Sequence, residues 1–307
     1  MAVVRDDSVT IPPTATPDAA LPITADLARD LVDSQFPQWR DEPLTFASEG
    51  WDNVMYRLGQ SLAVRLPRRE LTARFAAAEH TWLPRISGAW TFSAPVPVVI
   101  GAPSPHYPWE WSVVPWIEGT VAIEEPLTAD GAADLGAALA QIHVPAPADA
   151  PFNTWRSIPL AARTERFLAR LEMLSSQPAW GLDTEAALAV FAAAGARGDL
   201  TWCHLDLHGR NILTNRGRLA GILDWGDAAA GDPCADLGQA LYLLGGTLYE
   251  DCAAAYVGAN GAGDPTAPRV RAEAIAYAVT MASLEDQVYA ASGWRALEDL
   301  GLATPNG

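Results

Sequence analysis

The sequence predicts an α+β protein with two lobes, a small β-rich lobe followed by a larger, mainly helical lobe. The chain has 307 residues, and two packed lobes are expected because a single hydrophobic core stops growing at about 250 to 300 residues. Short segments of alternating apolar and polar residues come first, whereas Ala- and Leu-rich segments with helical spacing dominate the rest. We therefore predict an N-terminal lobe over residues 23–117 and a C-terminal lobe over residues 118–307, preceded by a flexible arm over residues 1–22.

The first predicted element of the N-terminal lobe is an amphipathic helix that begins after Thr24. Threonine is a favourable N-cap residue, and Leu27, Leu31 and Val32 recur at helical spacing. The period then changes to two in three short segments separated by Gly-containing turns, which read LTFAS, NVMYRLG and LAVRLP. This pattern predicts a β-meander.

A second helix and two more strands complete the predicted N-terminal lobe. Helical spacing returns in ELTARFAAAEHTWLPRI, and we expect Pro84 to end this helix because proline lacks a backbone N–H. Two further strands are predicted in VPVVIG and WEWSVVPWI, joined by a proline-rich connection. The order of strands, helix and strands is typical of a small α+β lobe.

Helices dominate the predicted C-terminal lobe. The first is TADGAADLGAALAQIHV, and two more follow a surface connection at residues 145–153, in IPLAARTERFLARLEML and TEAALAVFAAAGA. One segment, NILTNRGRLAGILDW, interrupts this pattern and predicts a β-hairpin that turns at residues 215–217.

The formal net charge of −17 argues against a nucleic-acid partner, because phosphate binding needs clustered basic residues. A cationic substrate would be attracted to such a chain, although acidity that serves solubility alone explains the charge equally well. The chain contains no lysine, so any basic phosphate ligand other than histidine must be one of the 20 arginines.

No membrane partner, targeting signal or disulfide framework is predicted. A membrane span requires roughly 20 consecutive apolar residues, and no stretch approaches that length. The first 22 residues lack the basic and then apolar order of a signal peptide, so we expect a cytoplasmic protein. The sequence leaves open whether this protein is a monomer or a dimer. Cys203, Cys234 and Cys252 lie far apart without metal-binding spacing, which favours buried free thiols.

The strongest chemical pattern is CHLDLHGRNIL followed by LDWGD. Phosphoryl transfer needs a carboxylate to orient a hydroxyl, and oxygen ligands to hold the magnesium ions that neutralise the phosphates. Asp206 and Asn211 have the spacing of a kinase catalytic loop, and Asp224 lies where a metal-binding aspartate belongs. The hairpin between them turns the chain back, so that Asn211 and Asp224 can flank one ion.

These paired motifs resemble those of the aminoglycoside phosphotransferase family, kinase-like enzymes that include aminoglycoside and macrolide O-phosphotransferases and relatives acting on choline, homoserine and other small alcohols. The family's second histidine is present as His208, and the order of the lobes also fits from about residue 23. The resemblance implies the bilobal protein-kinase-like fold, Asp206 as catalytic base, Asn211 and Asp224 as Mg²⁺ ligands, and ATP or GTP as phosphate donor. It also implies a small-molecule hydroxyl acceptor, in the first place an antibiotic that phosphorylation inactivates.

Each of these residues also has a purely structural interpretation. Asp206 alone could be a turn or cap residue, and Asp224 alone could end a strand. His204 is expected to form structural hydrogen bonds in the loop rather than to act in catalysis. Asp232 and Asp236, at the start of the next helix, are expected to cap it and to brace the loop.

The predicted nucleotide site is less well defined. The segment SEGWDN between the first two strands has one glycine and no G-x-G-x-x-G, so backbone amides from Ser48 to Asn53 could cover the phosphates or simply form a hairpin turn. Arg65 occupies the position of the kinase phosphate-binding lysine, with Glu79 on the next helix as its expected partner.

A surface ion pair is the alternative interpretation of Arg65 and Glu79. By position alone, the backbone from Val114 to Trp116 is expected to form the hinge between the lobes and to contact the purine.

Three other functions compete with antibiotic phosphorylation. A protein kinase is disfavoured because the chain runs from Asp224 into a helix without a long activation segment. A metabolic kinase for an amino alcohol or a sugar remains open: Asp206, Asp227 and the Glu285–Asp286 pair would suit a cationic acceptor, although that pair fits a solvated helix face better. A catalytically inactive binding module would be expected to lose the base or a metal ligand. This chain keeps a candidate base, Asp206, and two candidate metal ligands, Asn211 and Asp224.

Overall fold

The computed structural model describes residues 16–306. Most of the predicted arm, residues 1–15, lies outside the described residues. The end of that arm contacts the N-terminal lobe, because the Ala20 N–H donates to the Arg68 carbonyl (2.9 Å) and Leu21 packs against the core of the sheet.

The N-terminal lobe is built on a five-stranded antiparallel sheet with the order β1-β2-β3-β5-β4. Its strands are β1 Leu44–Glu49, β2 Asn53–Leu58, β3 Leu62–Pro67, β4 Val99–Gly101 and β5 Trp111–Pro115. The two helices of this lobe are α1 Ala25–Gln35 and α2 Glu70–Ile86. The predicted meander and the two later strands are all confirmed.

Helix α1 covers one face of the sheet. Thr24 caps it as predicted, since its Oγ1 accepts a hydrogen bond from the Leu27 N–H (3.2 Å). Leu31 and Val32 are buried in one core with residues of β2, β3 and β5.

Helix α2 ends two residues later than the sequence predicts. Pro84 lies inside its last turn, and the helix continues to Ile86. A proline this close to the end removes the bond of its own nitrogen but leaves later bonds intact, and the Ser87 N–H still donates to the Leu83 carbonyl.

The C-terminal lobe contains six helices among the described residues, and α3, α6, α7 and α8 pack in succession. They are α3 Ala129–Ile142, α4 Thr164–Ser175, α5 Thr184–Ala192, α6 Pro233–Gly258, α7 Pro268–Ala282 and α8 Gln287–Asp299. A 3-10 turn, Leu160–Arg163, leads into α4, and α6 is kinked at Gly245, which has a positive φ of 70°.

This helical lobe also contains small sheets. They are formed by β6 Thr120–Val121, β7 Trp180–Leu182, β8 Thr201–Cys203, β9 Ile212–Asn215, β10 Arg218–Ile222, β11 Ala229–Gly231 and β12 Ala303–Pro305. Strands β10, β9 and β6 form one sheet, and β11-β8 and β12-β7 form antiparallel pairs. The short strands β6, β7, β8, β11 and β12 were not predicted, since two or three residues carry no usable period.

The predicted hairpin is confirmed as β9 and β10. Its two-residue turn consists of Arg216 and Gly217, with φ of 52° and 71°, as a type I′ turn requires. At the open end, the Leu223 N–H donates to the Asn211 carbonyl (2.7 Å), so the residues that precede β9 and follow β10 lie side by side.

Further predictions concern the cysteines and the architecture. All three cysteines are buried and free. None of the described helices is both long and apolar enough to cross a membrane. The α+β architecture with a sheet lobe followed by a helical lobe is confirmed, whereas the residue limits of the lobes stay predictions.

Candidate active site

The predicted catalytic loop is held in a strained conformation. Leu205, between His204 and Asp206, is buried with a positive φ of 68°, which is uncommon for a non-glycine residue. Asp236 accepts hydrogen bonds from the N–H groups of His204 and Leu205, both at 2.7 Å. The prediction that Asp236 braces the loop is confirmed.

Helix α6 provides further contacts that fix this loop. Gln239 accepts from the Leu207 N–H (2.7 Å) and donates to the Leu205 carbonyl (2.8 Å). Asp232 caps the helix by accepting from the Cys234 N–H (3.0 Å), as predicted. The loop is therefore rigidly attached to the longest helix described.

The two loop histidines have different surroundings. His204 Nε2 lies 2.8 Å from the Leu223 carbonyl oxygen, and its ring packs edge-on against Trp225, which confirms the predicted structural role. His208 is buried, and its Nε2 lies 3.7 Å from Asp206 Oδ2.

The Asp206 carboxylate lies in the cleft between the lobes. Its Oδ1 accepts hydrogen bonds from Arg156 and from the Tyr277 hydroxyl, the latter at 2.7 Å. Burial alone would raise the pKa of Asp206, but Arg156, His208 and Tyr277 outweigh burial and lower the pKa to about 2. The carboxylate is consequently ionised at neutral pH.

Arg156 is the principal residue that the sequence analysis missed. It follows the predicted surface connection, donates to the Leu205 carbonyl (2.6 Å), and its Nη2 lies 3.4 Å from Asp227 Oδ2. Asn153 holds the other side of Asp227 by donating to Oδ1 (2.6 Å). No local pattern marks Arg156, since its partners lie about 50 and 70 residues further along the chain.

Asn211 and Asp224 lie at the open end of the hairpin and both line the cleft. The Asn211 amide nitrogen donates to the Asp206 carbonyl (2.9 Å), a contact that does not use its amide oxygen. Asp224 has a positive φ of 56° and a side chain that is 38% exposed, so its carboxylate is accessible. These hard oxygen donors fit Mg²⁺.

Arg65 is buried and forms ion pairs with Glu79 and with Asp224, where Nη2 lies 2.9 Å from Oδ1. The Asn53 amide, with its oxygen turned toward Arg65, accepts from Nε and Nη2 at 3.1 Å. The side chains of Arg65 and Glu79 are only 9% and 1% exposed, so the alternative of a surface ion pair is wrong. Burial raises the pKa of Glu79 although Arg65 opposes the shift.

The loop between β1 and β2 reaches across the cleft. Two arginines of the β3–α2 connection hold it: Arg68 donates to the Gly50 carbonyl (2.9 Å), and Arg69 pairs with Asp52 (3.0 Å). The Trp51 side chain packs against the hydrophobic core of the helical lobe. Burial, together with Asp224 and Asp227, raises the pKa of Asp52 to about 7.

The backbone of the predicted hinge forms hydrogen bonds with the neighbouring strand. Val114 pairs with Ala63 of β3, and the Trp116 N–H donates to the Ser61 carbonyl (2.8 Å). The Trp116 N–H is therefore not free for a purine, which corrects the prediction at that atom. Trp116 instead lines a separate cavity of about 550 Å³.

The cleft itself has a volume of about 1440 Å³ and receives side chains from both lobes. It brings together six of the nine predicted site residues, namely Ser48, Asn53, Arg65, Asp206, Asn211 and Asp224. Glu79 lies buried behind Arg65. Val114 is buried within β5, and Trp116, which follows that strand, lines the smaller cavity.

This arrangement of lobes, loop and hairpin is that of a kinase-like phosphotransferase. Residues 43–273 match the phosphotransferase enzyme family. The chain belongs to that family and is an enzyme that transfers phosphate to hydroxyl groups. A comparison with curated proteins found no match to this chain.

Solved structures share the fold at low sequence identity. The GDP complex of aminoglycoside 2'-phosphotransferase-IIIa is 20% identical with a TM-score of 0.61, over 89% of this chain and 97% of that chain. Macrolide 2'-phosphotransferase MphH from Brachybacterium faecium is 20% identical with a TM-score of 0.59, over 89% and 98%. The streptomycin–ATP ternary complex of APH(2")-IIa is 16% identical with a TM-score of 0.56, over 91% and 96%.

Proposed function

We propose that this protein is a small-molecule kinase that transfers the γ-phosphoryl group of ATP or GTP to an acceptor hydroxyl, with Asp206 as the catalytic base. The observation that carries the proposal is the position of the Asp206 carboxylate in the cleft, on the same loop as Asn211 and with Asp224 lining the same cleft. In this proposal, the sheet lobe over residues 23–117 binds the nucleotide, and the helical lobe over residues 118–307 binds the acceptor.

Asp206 orients the acceptor hydroxyl and receives its proton. The bond between the acceptor oxygen and the γ-phosphorus forms while the bond from that phosphorus to the β–γ bridging oxygen breaks. Because the pKa of Asp206 is lowered to about 2, the carboxylate is ionised and can accept this proton. Tyr277 keeps the carboxylate in place by donating to Oδ1.

Asn211 and Asp224 would hold Mg²⁺, which supplies positive charge to the phosphates when bound. Arg65 would hold phosphate oxygens with its planar guanidinium, and Glu79 would fix the position of that side chain. Backbone amides from Ser48 to Asn53 would cover the phosphates on the side of the sheet lobe.

The purine would lie beside the chain at Val114 and Trp116. Because strand pairing and the bond to Ser61 use backbone groups there, its backbone contacts fall to the residues that follow Trp116.

An antibiotic acceptor, as the resemblance predicts, is supported by solved structures of the same fold, which include complexes with kanamycin, streptomycin and gentamicin. A metabolic hydroxyl compound is the second candidate, and one observation favours it over a cationic antibiotic. Of the acids expected to attract a cation, Asp206 and Asp227 pair with Arg156, and Asp286 pairs with Arg210. Asp286 is the N-cap of α8, not part of a solvated helix face.

The Asp206→Ala variant tests the proposed function. We expect it to abolish ADP or GDP release with a panel of hydroxyl acceptors, while nucleotide affinity measured by calorimetry changes less than about twofold, because the base acts on the acceptor. Asp251→Ala, at an exposed position on α6, is the matched control and should keep wild-type turnover. Unchanged turnover in Asp206→Ala would refute the assignment.

A further inference from the structure

One wall of the cleft is lined by arginines of a single segment. The 3-10 turn ends at Arg163, and α4 presents Arg166 and Arg170 one turn apart on the same face. Arg156 lies beyond them next to Asp206, so a row of positive groups leads to the proposed base.

These guanidinium groups are close enough to affect one another. Burial, and then Arg163, lowers the pKa of Arg166. Burial, and then Arg166 and Arg156, lowers the pKa of Arg170 to about 10. Like charges therefore crowd this wall, in a chain whose net charge is −17.

Two members of the row lack a countercharge. Arg163 pairs with Glu273, and Arg156 pairs with Asp206 and Asp227. By contrast, neither Arg166 nor Arg170 forms an ion pair with any residue in the 16–306 span.

The contacts of Arg166 and Arg170 leave most of their donors unused. Arg166 donates to the Trp155 carbonyl at 3.4 Å and stacks over the Trp155 ring at 4.9 Å. Arg170 donates to Thr280 Oγ1 (3.2 Å), and its Nε–H is buried without an acceptor in the described part of the chain. A guanidinium has five N–H donors, and burying its charge without a partner is unfavourable.

The position of the pair indicates the acceptor rather than the nucleotide. Thr280, the partner of Arg170, lies three residues after Tyr277 on α7, and Tyr277 donates to Asp206. A rise of about 4.5 Å along α7, slightly less than one helical turn, thus separates Thr280 from Tyr277. The phosphate-side candidates Arg65 and Asn53 belong to the sheet lobe.

Apolar and aromatic groups line the same cleft as the arginine pair. Trp155, Phe167, Met281 and Tyr289 line the same cleft. A ligand that satisfies both features has an apolar body with an acidic group.

We propose that the acceptor is an anion, a hydroxyl compound that carries a carboxylate or a phosphate monoester bound by Arg166 and Arg170. This inference rests on the proposed function of the cleft, and it makes polycationic aminoglycosides poor acceptors.

The test is calorimetric binding of three probes that share one ring and differ in charge. They are 4-hydroxyphenylacetate, its neutral amide and the cationic amine tyramine. We expect the wild type to bind the carboxylate at least about tenfold more tightly than the amine, as charge-assisted hydrogen bonds to arginine would give. The Arg166→Gln/Arg170→Gln variant should lose this preference. Phenyl phosphate as a fourth probe separates the two sources of anion: tighter binding than the carboxylate assigns a phosphate monoester.

Two controls make the result specific. Arg74→Gln removes an exposed arginine that pairs with Glu70 away from the cleft, and it should keep the wild-type preference. Circular dichroism checks folding, and Arg166→Gln alone, at a half-buried position, replaces the double variant if that variant does not fold.

The inference is overturned if tyramine binds as tightly as the carboxylate, if none of the ring probes binds, or if the double variant loses ADP affinity, which would assign the arginines to the nucleotide. Because binding needs no turnover, a wild-type enzyme that prefers anions but transfers no phosphate would contradict the proposed function alone.

Discussion

At the scale of single residues, the site depends on the contact between Arg156 and Asp206. Burial would favour the protonated acid, and the guanidinium reverses that tendency. Because the pKa of Asp206 is depressed, the stability it contributes is present above its unfolded pKa of about 3.9 and is lost as the pH falls toward about 2. The protein should therefore keep this contribution throughout the neutral range.

Replacing Arg156 should move the acid limb of activity. In Arg156→Gln, burial of Asp206 is no longer offset by a full positive charge, so its pKa rises and kcat/KM falls at a higher pH than in the wild type. The pH profile of kcat/KM measures this shift. Tyr277→Phe, which removes one hydrogen bond but no charge, should shift the limb less, and an unmoved limb in Arg156→Gln would contradict the assigned electrostatics.

At the scale of elements, the β9–β10 hairpin places the proposed metal ligands, and its turn is docked on helix α3. The Thr128 N–H and Oγ1 both donate to the Gly217 carbonyl, at 2.9 and 3.0 Å. Thr128 also caps α3 by accepting from the Gly131 N–H. The hairpin and the helix therefore stabilise each other.

A pair of glycine substitutions separates backbone strain from this docking contact. Gly217 and Gly195 both have positive φ, but an added Cβ at Gly217 would lie 2.4 Å from Thr128 Cγ2, whereas Gly195 has open space. We expect Gly195→Ala to cost about 1 kcal/mol of unfolding free energy from φ alone, and Gly217→Ala clearly more. Denaturant unfolding measures both, and equal losses would show that the docking contact does not matter.

At the scale of the whole molecule, Trp51 joins the lobes, since it belongs to the β1–β2 loop and packs on the helical core. Trp51→Ala should raise the KM for nucleotide several-fold, because the loop proposed to cover the phosphates loses its anchor. Steady-state kinetics with varied nucleotide measure this, and Trp51→Phe should restore most of the affinity. A nucleotide KM that stays at the wild-type value in Trp51→Ala would show that the loop does not cover the phosphates.

The sequence predicted what depends on local pattern. Periodicity gave the five strands of the sheet and the helices α1 to α5, and the turn residues Arg216 and Gly217 suit the predicted hairpin. The spacing of Asp206, Asn211 and Asp224 predicted that these three side chains share one site, and all three line the same cleft.

Charge partners could not be predicted in the same way. Arg156 follows a segment that looks like a surface connection, and its partners Asp206 and Asp227 lie on distant loops. Arg166 and Arg170 belong to what looks like an ordinary amphipathic helix, and the contact of Arg170 with Thr280 depends on how α4 packs on α7. Position alone predicts that the backbone from Val114 to Trp116 contacts a purine, but the Trp116 N–H already donates to the Ser61 carbonyl, a bond that depends on the register of β3 and β5.

The central claim is that Asn211 and Asp224 hold a metal ion beside a nucleotide in front of Asp206. Calorimetric titration of nucleotide with and without Mg²⁺ tests it most directly, in the wild type, Asp224→Asn and Asp206→Asn. We predict that Mg²⁺ tightens nucleotide binding in the wild type and in Asp206→Asn, and that Asp224→Asn loses this effect. Equal Mg²⁺ dependence in Asp224→Asn and the wild type, or none in the wild type, would contradict the account.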